Sequence, residues 1–194
     1  MVTLVEGSQY EVPTSVDPKN NICVVKTTAN GTKQWFYGSN IVTNDGDIFY
    51  AKKGAGETPS TNEVFSSAAC VLQNPASADT PAKADTYSSV TTPITTSGAV
   101  QAKETGYPKT NDSDADNTGA GTDVVTYKFT WTTAQIDTSA GNAITGGAIY
   151  DSGVTSPVSG TKILTHWNFS SPSSFHKTST DTLTLYVNHT MNGV

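Results

Sequence analysis

The clearest alternation of apolar and polar positions lies between residues 124 and 132, in the C-terminal third of the chain. The apolar set that shares one face of this stretch is Val125, Tyr127, Phe129 and Trp131. A period of two is typical of a strand with one buried face. The sequence therefore predicts a strand here, with an aromatic row packed against a core.

Three further strands are predicted downstream. They are Ala148 to Tyr150, Lys162 to Phe169 with Ile163, Trp167 and Phe169 on one face, and Thr182 to His189 with Leu183, Leu185 and Val187 inward and Thr184, Tyr186 and Asn188 outward. Four strands at this spacing, separated by polar turns, are typical of an antiparallel sandwich or jelly roll. A second sheet, made from earlier strands, is expected to cover the aromatic face.

The N-terminal part carries hairpin signals. An apolar run, Ile22 to Lys26, is followed by the turn-forming pair Asn30-Gly31 and then by Gln34 to Tyr37. Another strand is predicted at Asp47 to Lys52. We expect residues 1–44 to form an N-terminal arm or hairpin segment, and residues 45–194 to form a single β-sandwich domain.

The middle of the chain is rich in Pro, Ala, Ser, Thr, Asn and Asp. Residues 73–123 are predicted to be a loop-rich region with brief strands at Tyr87 to Thr92 and Gly98 to Gln101. Just before it, Glu63 to Leu72 fits a helix or a buried strand equally well. The predicted fold is thus all-β, an antiparallel β-sandwich or jelly roll with long loops and an extended N-terminal segment.

Composition narrows the function. Hydrophobic residues make up 35% and charged residues 14% of the chain, and the formal net charge is −6. All eleven basic residues are Lys, so the usual tool for bidentate phosphate contacts is missing and no nucleic-acid partner is expected. Neither a signal peptide nor a transmembrane run is recognised. We therefore expect a protein made in the cytoplasm, without membrane contact, in which Cys23 and Cys70 are small buried thiols.

The C-terminal block also resembles a family. The resemblance rests on three features in this order: the strand 127–132, the glycine-bearing strand 144–151, and the strand pair 160–169 and 180–187. This order is similar to the β-rich terminal block of small virion structural proteins of tailed bacteriophages, of the head-decoration, neck and tail-accessory type. The chain departs from that pattern at Gly146, where an acidic residue is common, and at His166, where Arg is common.

The resemblance implies a non-enzymatic virion protein. Its partners would be other virion proteins, such as capsid, neck or tail subunits, and copies of itself. The favoured role is capsid decoration or a head–tail accessory that bridges neighbouring subunits. Two alternatives stay open: a tail-fibre, receptor-binding or carbohydrate-binding component, and a small polysaccharide depolymerase.

An acidic run is the candidate metal site. Asp112, Asp114, Asp116 and Asp123 stand at positions one, three, five and twelve of a calcium-loop spacing. However, Asn117 replaces the usual glycine, and position twelve is Asp instead of Glu. The competing interpretation is a solvated acidic loop between strands, and no other cofactor is predicted.

Other candidate chemistry is weaker. His166, His176 and His189 lack the short spacing of a zinc motif, and His166 and His189 are expected on polar strand faces as surface or interface residues. No nucleophile elbow or phosphate loop is found, and the acids Glu57, Glu63, Asp79, Asp85, Glu104 and Asp137 show no distinctive spacing. Trp131 and Trp167 are predicted in the core, whereas part of Trp35 to Tyr37 is a candidate sugar platform.

Overall fold

The computed structural model describes residues 21–60, 65–96, 98–151, 157 and 159–191. These residues form one α-helix, two short 3-10 helices (Phe65–Ser67 and Tyr87–Ser89) and nine strands. The elements are β1 (Ile22–Thr27), β2 (Lys33–Val42), α1 (Asn44–Gly54), β3 (Ala68–Gln73), β4 (Gln101–Ala102), β5 (Lys109–Thr110), β6 (Val124–Trp131), β7 (Gly146–Asp151), β8 (Ile163–Ser171) and β9 (Thr182–Thr190). Within the described ranges no helix is long and apolar enough to cross a membrane.

All nine strands belong to one antiparallel sheet. The order across the sheet is β4-β3-β7-β8-β2-β1-β9-β6-β5. The sheet curls into a half-barrel. Residues on the inner face of one part of the sheet therefore pack against residues on the inner face of the other part, and the aromatic rows are buried between them. The prediction of an all-β fold is confirmed, but the strands form one curled sheet, and the expected arrangement of two facing sheets is not confirmed.

Both edges of the sheet are occupied by one stretch of chain, residues 98–110, which we call the closing segment. It contains both edge strands, β4 and β5. The amide of Lys103 donates to the Ala68 carbonyl on β3 at 2.9 Å, and the next amide, Glu104, donates to the Lys128 carbonyl on β6 at 2.8 Å. Two adjacent residues therefore bridge the two sides of the half-barrel and satisfy backbone groups that an open edge would leave unpaired.

The core fills the inside of this half-barrel. Tyr127, Phe129 and Trp131 of β6 are fully buried in it, together with Trp167 of β8. The Trp131 indole donates to the carbonyl of Ala99 in the closing segment at 2.6 Å. The predicted aromatic row on β6 and the core positions of Trp131 and Trp167 are confirmed, and so is the inward set Leu183, Leu185 and Val187 on β9.

One facing assignment on β8 is wrong. Ile163 was predicted on the same face as Trp167 and Phe169, but it packs in a separate apolar cluster on the outer face. The pairing of β7 with β8 skips Leu164, since Ile149 pairs with Thr165 and Tyr150 pairs with Ile163. Such a bulge reverses the alternation beyond it, and Leu164 takes the inward place.

The predicted strand at Asp47 to Lys52 is also wrong, because these residues form most of helix α1. Thr43 caps the helix, with its hydroxyl accepting from the Gly46 amide at 3.1 Å. Acids in the first turn and lysines in the last turn complement the helix dipole. The helix inserts Phe49 into the core beside Phe65, in an edge-on contact with ring centroids 5.4 Å apart.

The predicted hairpin around Asn30-Gly31 is confirmed, since β1 and β2 pair from Ile22 opposite Gly38 to Thr27 opposite Lys33. This hairpin lies in the middle of the sheet, between β8 and β9. It is therefore hydrogen-bonded on both sides to strands from the C-terminal half. Residues 1–20 of the predicted N-terminal arm or hairpin segment (residues 1–44) lie outside the described residues.

The ambiguous and loop-rich stretches contain short 3-10 helices and strands. Of the stretch Glu63 to Leu72, residues 63 and 64 lie outside the described part, and the remainder is a 3-10 turn followed by β3. The brief strand predicted at Tyr87 to Thr92 is wrong, because its first residues form a 3-10 helix. The one predicted at Gly98 to Gln101 corresponds to β4, at Gln101–Ala102.

Gly146 allows β7 and β8 to approach closely, which generates a stability prediction. A Cβ at this position would clash with the Trp167 carbonyl oxygen. Gly146→Ala should lower the free energy of unfolding by about 1–3 kcal/mol, the usual penalty for overpacking. The matched control is Gly54→Ala at the end of α1, where a Cβ meets nothing within 4 Å. Urea denaturation of both variants checks this; equal effects would contradict the close approach.

Candidate interaction surface and its polar networks

The outer face of the sheet is covered by loops. Strands β1, β2 and β9 carry an outer apolar cluster made of Cys23, Val25, Trp35, Tyr37 and Tyr186. The acidic run lies over this cluster: the Cys23 thiol donates to the Asp116 carbonyl at 3.4 Å, and the Thr118 hydroxyl contacts the Cys23 sulfur at 3.8 Å. The loop that the sequence analysis predicts as a metal site thus covers the outer apolar cluster.

Charge-assisted hydrogen bonds fix this loop to the strands. Asp114 accepts from the Lys128 ammonium of β6 and from the Tyr186 hydroxyl of β9, both at 2.6 Å. Asp116 pairs with Lys33 of β2 at 2.6 Å. The three contacts join the loop to three different strands, and bonds of this type are stronger than those between neutral groups.

The protonation behaviour of the pair follows from these contacts. Burial works to raise the pKa of Asp114, but the bonds from Lys128 and Tyr186 outweigh it and lower the pKa to about 2. Burial and the neighbouring Asp114 carboxylate raise the pKa of Tyr186. The carboxylate therefore stays ionised and the phenol protonated over the whole ordinary pH range.

The four predicted calcium ligands do not converge. Asp112 is buried and accepts from the Asn117 amide at 3.0 Å and from the Lys109 ammonium at 3.0 Å, while Asp123 is exposed. Lysine ammonium groups occupy the positions near the first three carboxylates. Among the described residues, no group of three or more His, Cys, Asp or Glu side chains is placed to hold a metal ion.

A second covering segment, residues 76–92, lies over β8. His166 of β8 is fully buried, with its Nδ1 atom 2.7 Å from an Asp85 oxygen and its Nε2 atom 3.7 Å from an Asp79 oxygen. Asp79 also accepts from the Thr91 amide at 2.9 Å. The prediction that His166 is a surface residue is wrong, because the segment buries the imidazole between two carboxylates.

His189 is the other histidine that the sequence assigned to a polar surface, and that prediction is wrong as well. It lies on the inner face of β9 with 2% of its surface exposed, and its Nδ1 atom is 2.5 Å from the hydroxyl of Tyr50 on α1. Burial without a countercharge lowers the pKa of His189 to about 3. Burial also raises the pKa of Tyr50, so both groups are neutral near pH 7.

The two cysteines are free and buried, as predicted. Burial raises the pKa of Cys23 to about 11, and it raises the pKa of Cys70 well above its ordinary value. The thiolate is the reactive form of cysteine. Both side chains therefore act as small apolar groups.

The candidate sugar platform is not exposed. Trp35 and Tyr37 share the outer face, as the alternation predicts, but they keep only 8% and 3% of their surface exposed. The exposed large apolar side chains in the described part of the chain are Ile48 and Met191. The cluster Trp35 to Tyr37 therefore offers no open aromatic face on which a sugar could stack.

A shallow polar cleft of about 540 Å³ lies at the end of the half-barrel that holds the β1–β2 turn. Its lining consists of Thr28, Ala29, Asn30, Thr32, Gln34, Thr180 and Asp181. These side chains are mostly hydroxyls and amides, groups that bind other hydroxyl-bearing molecules. Asp181 is the one carboxylate of this lining.

Sequence reasoning placed the apolar faces but missed the polar networks. The pairs His166–Asp85 and Asp114–Tyr186 join residues 81 and 72 positions apart. Local patterns do not identify the partners in such pairs. They show only that a polar residue occupies a strand position, which indicates that this residue needs a polar partner. Comparison of the chain with models of known families, with curated proteins and with solved structures found no match.

The Asp114 contacts generate a second prediction. Asp114→Asn removes the charge that holds both Lys128 and Tyr186, so it should lower the free energy of unfolding by about 1.5–3 kcal/mol. The matched control is Asp47→Asn, because Asp47 pairs with Lys83 at 2.5 Å with both side chains 55% exposed. Such a pair contributes about 0–1 kcal/mol. Equal losses in denaturant titrations of the two variants would refute the role given to Asp114.

The buried His189 generates a pH prediction. The unfolded chain takes up a proton at about pH 6.5, whereas folded His189 resists protonation down to about pH 3. Its contribution to stability is therefore complete above pH 6.5 and declines as pH falls toward 3, by about 1.4 kcal/mol per pH unit. His189→Asn should flatten the pH dependence of unfolding between pH 6.5 and 4.5. An unchanged slope in this variant would rule out the assignment.

Proposed function

We propose that this chain is a non-enzymatic structural protein of a tailed-phage virion, either a capsid decoration protein or a head–tail accessory protein that bridges neighbouring subunits. The observation that carries the proposal is the fixing of two covering segments, the acidic loop 112–123 and residues 76–92, to the sheet by partly buried hydrogen bonds at Asp114 and at His166. Loops held in this way lose little conformational freedom when they meet a partner. A sheet whose loops are held in place by several hydrogen bonds is suited to bridging neighbouring subunits.

The exposed surface of the covering segment over β8 supports the proposal. Its exposed residues are mostly small and uncharged: Ala76, Ser77, Ala78, Thr80, Ala82, Ala84, Ser88, Thr91 and Thr92. The exposed cation in the segment, Lys83, is paired with Asp47. Burying such a surface against another subunit leaves few charges to be matched, which favours close packing among many copies.

The mode of contact follows from the closing segment. Because residues 98–110 occupy both edges of the sheet, a neighbouring subunit would meet loops and covering segments, and addition of a strand at an edge is disfavoured. The virion as the location is supported by the resemblance of the C-terminal strands to phage structural proteins. Repetition by particle symmetry would then raise modest individual contacts to high avidity.

The polar cleft favours one rival, a carbohydrate-binding tail component. Its hydroxyl and amide lining suits a glycan, and a glycan array with the purified chain tests this. The depolymerase alternative needs two carboxylates across a groove. Among the residues that line the cleft, Asp181 alone supplies one, so the geometry supports binding of a sugar ahead of its hydrolysis.

An electron-microscopy map of the native particle tests the proposal. We expect density for the curled sheet at a repeated position on the head or neck, with residues 76–92 at a contact. The chain, added back to particles that lack it, should co-sediment with them. Ala78→Arg should reduce that binding by about tenfold or more. The matched control is Ala140→Arg, the same substitution in a different exposed loop, and it should leave binding unchanged.

Two results would contradict the proposal. One is absence of the chain from purified particles. The other is turnover of a polysaccharide by the purified chain, which a fall in viscosity would reveal. If neither arginine substitution weakens binding to the particles, the contact does not involve the covering segment 76–92.

A further inference from the structure

The imidazole of His166 lies between two carboxylates of the covering segment 76–92. Its Nδ1 atom is 2.7 Å from an Asp85 oxygen, and its Nε2 atom is 3.7 Å from an Asp79 oxygen. The imidazole is fully buried, and the side chains of Asp79 and Asp85 keep only 12% and 13% of their surface exposed. Two largely buried anions therefore face one group that can carry either no charge or one positive charge.

The contact with Asp85 fixes one proton on Nδ1. The Asp85 oxygen that faces Nδ1 also accepts from the Ala82 amide at 2.7 Å. Burial works to raise the pKa of Asp85, but the hydrogen bonds from His166 and Ala82 outweigh it and lower the pKa below its ordinary value. The ionised carboxylate has no proton to donate. Nδ1 is therefore the donor, whether or not the ring carries a charge.

The charge of the ring is then decided at Nε2. This atom is buried and has no hydrogen-bond partner among the described residues. In the neutral ring its lone pair faces the Asp79 carboxylate, which is unfavourable. In the protonated ring the same atom is a donor, and a shift of about 0.5–1 Å brings Asp79 to hydrogen-bonding distance. Protonation thus exchanges a repulsive contact for a charge-assisted hydrogen bond.

The surroundings of His166 leave this balance to the two aspartates. The flanking strands β7 and β2 place Ala148 and Ile41 opposite it, and neither residue ionises. Lys83 of the covering segment is paired with Asp47 on α1. In the described structure the charged groups that face the imidazole are thus two carboxylates, and both favour the positive form of the ring.

Asp79 connects distant parts of the covering segment. Its carboxylate accepts from both the amide and the hydroxyl of Thr91, twelve positions later in the chain. Its backbone carbonyl accepts from the side chain of Asn168 on β8. A bond from His166 to this carboxylate would therefore hold both the Asp79 and the Thr91 parts of the segment against the sheet.

We propose that His166 is a pH-sensitive switch for the covering segment. When Nε2 is protonated, it binds Asp79 and holds Asp79 and Thr91 against β8; when the proton leaves, this part of the segment loosens while the Asp85 contact stays. The extra contact is thus present at lower pH and is lost as pH rises. The switch belongs to the isolated chain, so its test does not depend on the proposed virion role.

The first measurement is the location of the ring protons. The chain has three histidines, and long-range 15N–1H correlation spectra of the full-length chain show which ring nitrogens are protonated. Between about pH 8 and about pH 5.5, a range in which carboxylates stay ionised, the His166 ring should change from the Nδ1–H tautomer to the doubly protonated form. A neutral ring with its proton on Nε2, or a charge that does not change over this range, would overturn the proposal.

Amide exchange shows whether the proton holds the segment. After correction for the intrinsic effect of pH, the Thr91 amide should exchange about tenfold more slowly at the lower pH, because its acceptor Asp79 is then held by a charged donor. The Ala82 amide is an internal reference. Its acceptor Asp85 keeps the Nδ1 proton in both states, so its corrected rate should change by less than about twofold.

Variants separate the switch from a general effect of pH. Asp79→Asn removes the charge that Nε2 meets but keeps an oxygen for Thr91, and it should reduce the tenfold change at Thr91 to less than about twofold; His166→Gln should do the same. The matched control is Asp47→Asn, which removes the charged contact between Lys83 and α1 and should leave the tenfold change intact. Because Asp79 is partly exposed, its variant should stay folded even if His166→Gln does not.

Three exchange results would contradict the switch. They are a corrected Thr91 rate that does not depend on pH in the unmodified chain, a pH dependence that survives Asp79→Asn, and a pH dependence that Asp47→Asn abolishes as fully as Asp79→Asn does.

Discussion

The structure depends on the burial of one aromatic face by the curl of a single sheet. Tyr127, Phe129 and Trp131 form a row that a flat sheet could bury only under a second layer, and here Trp167 from another strand of the same sheet packs in the same core. Apolar burial is the dominant favourable term in folding. The closing segment keeps the curl in place, because Lys103 and Glu104 hydrogen-bond to opposite sides of it. Without that segment, both edges would expose unpaired backbone.

The outer face is organised by a different principle. Here loops without regular strands cover the sheet, and each is fixed by a few strong polar contacts: Asp114 with Lys128 and Tyr186 in one case, and His166 with Asp85 in the other. Five lysines of the described residues form ion pairs with aspartates within the fold. The exposed surface of residues 76–92 is mostly small and uncharged in character.

Local sequence patterns predicted the inward residues correctly on strands that place one face in the core and the other face under loops. The alternation on β6 and β9 identified the inward residues, and Asn30-Gly31 identified the hairpin. They failed at α1 because its residues Ile48 to Tyr50 have strong strand propensity, although Thr43 and the ordered charges of the helix were available signals. They also failed at Ile163, since a bulge depends on the partner strand. The candidate sites were less predictable than the fold, because His166, His189 and Asp114 acquire their roles from residues far away in the chain.

The most direct test of the account is amide hydrogen exchange at the closing segment. If Lys103 and Glu104 hold the two sides of the half-barrel together, their amides should exchange as slowly as those in the middle of β6, because both open only when the curl is lost. Exchange of these two amides at the rate of an exposed turn such as Asn30 would contradict the account. The sheet would then be open along that side, and its aromatic face would need another cover.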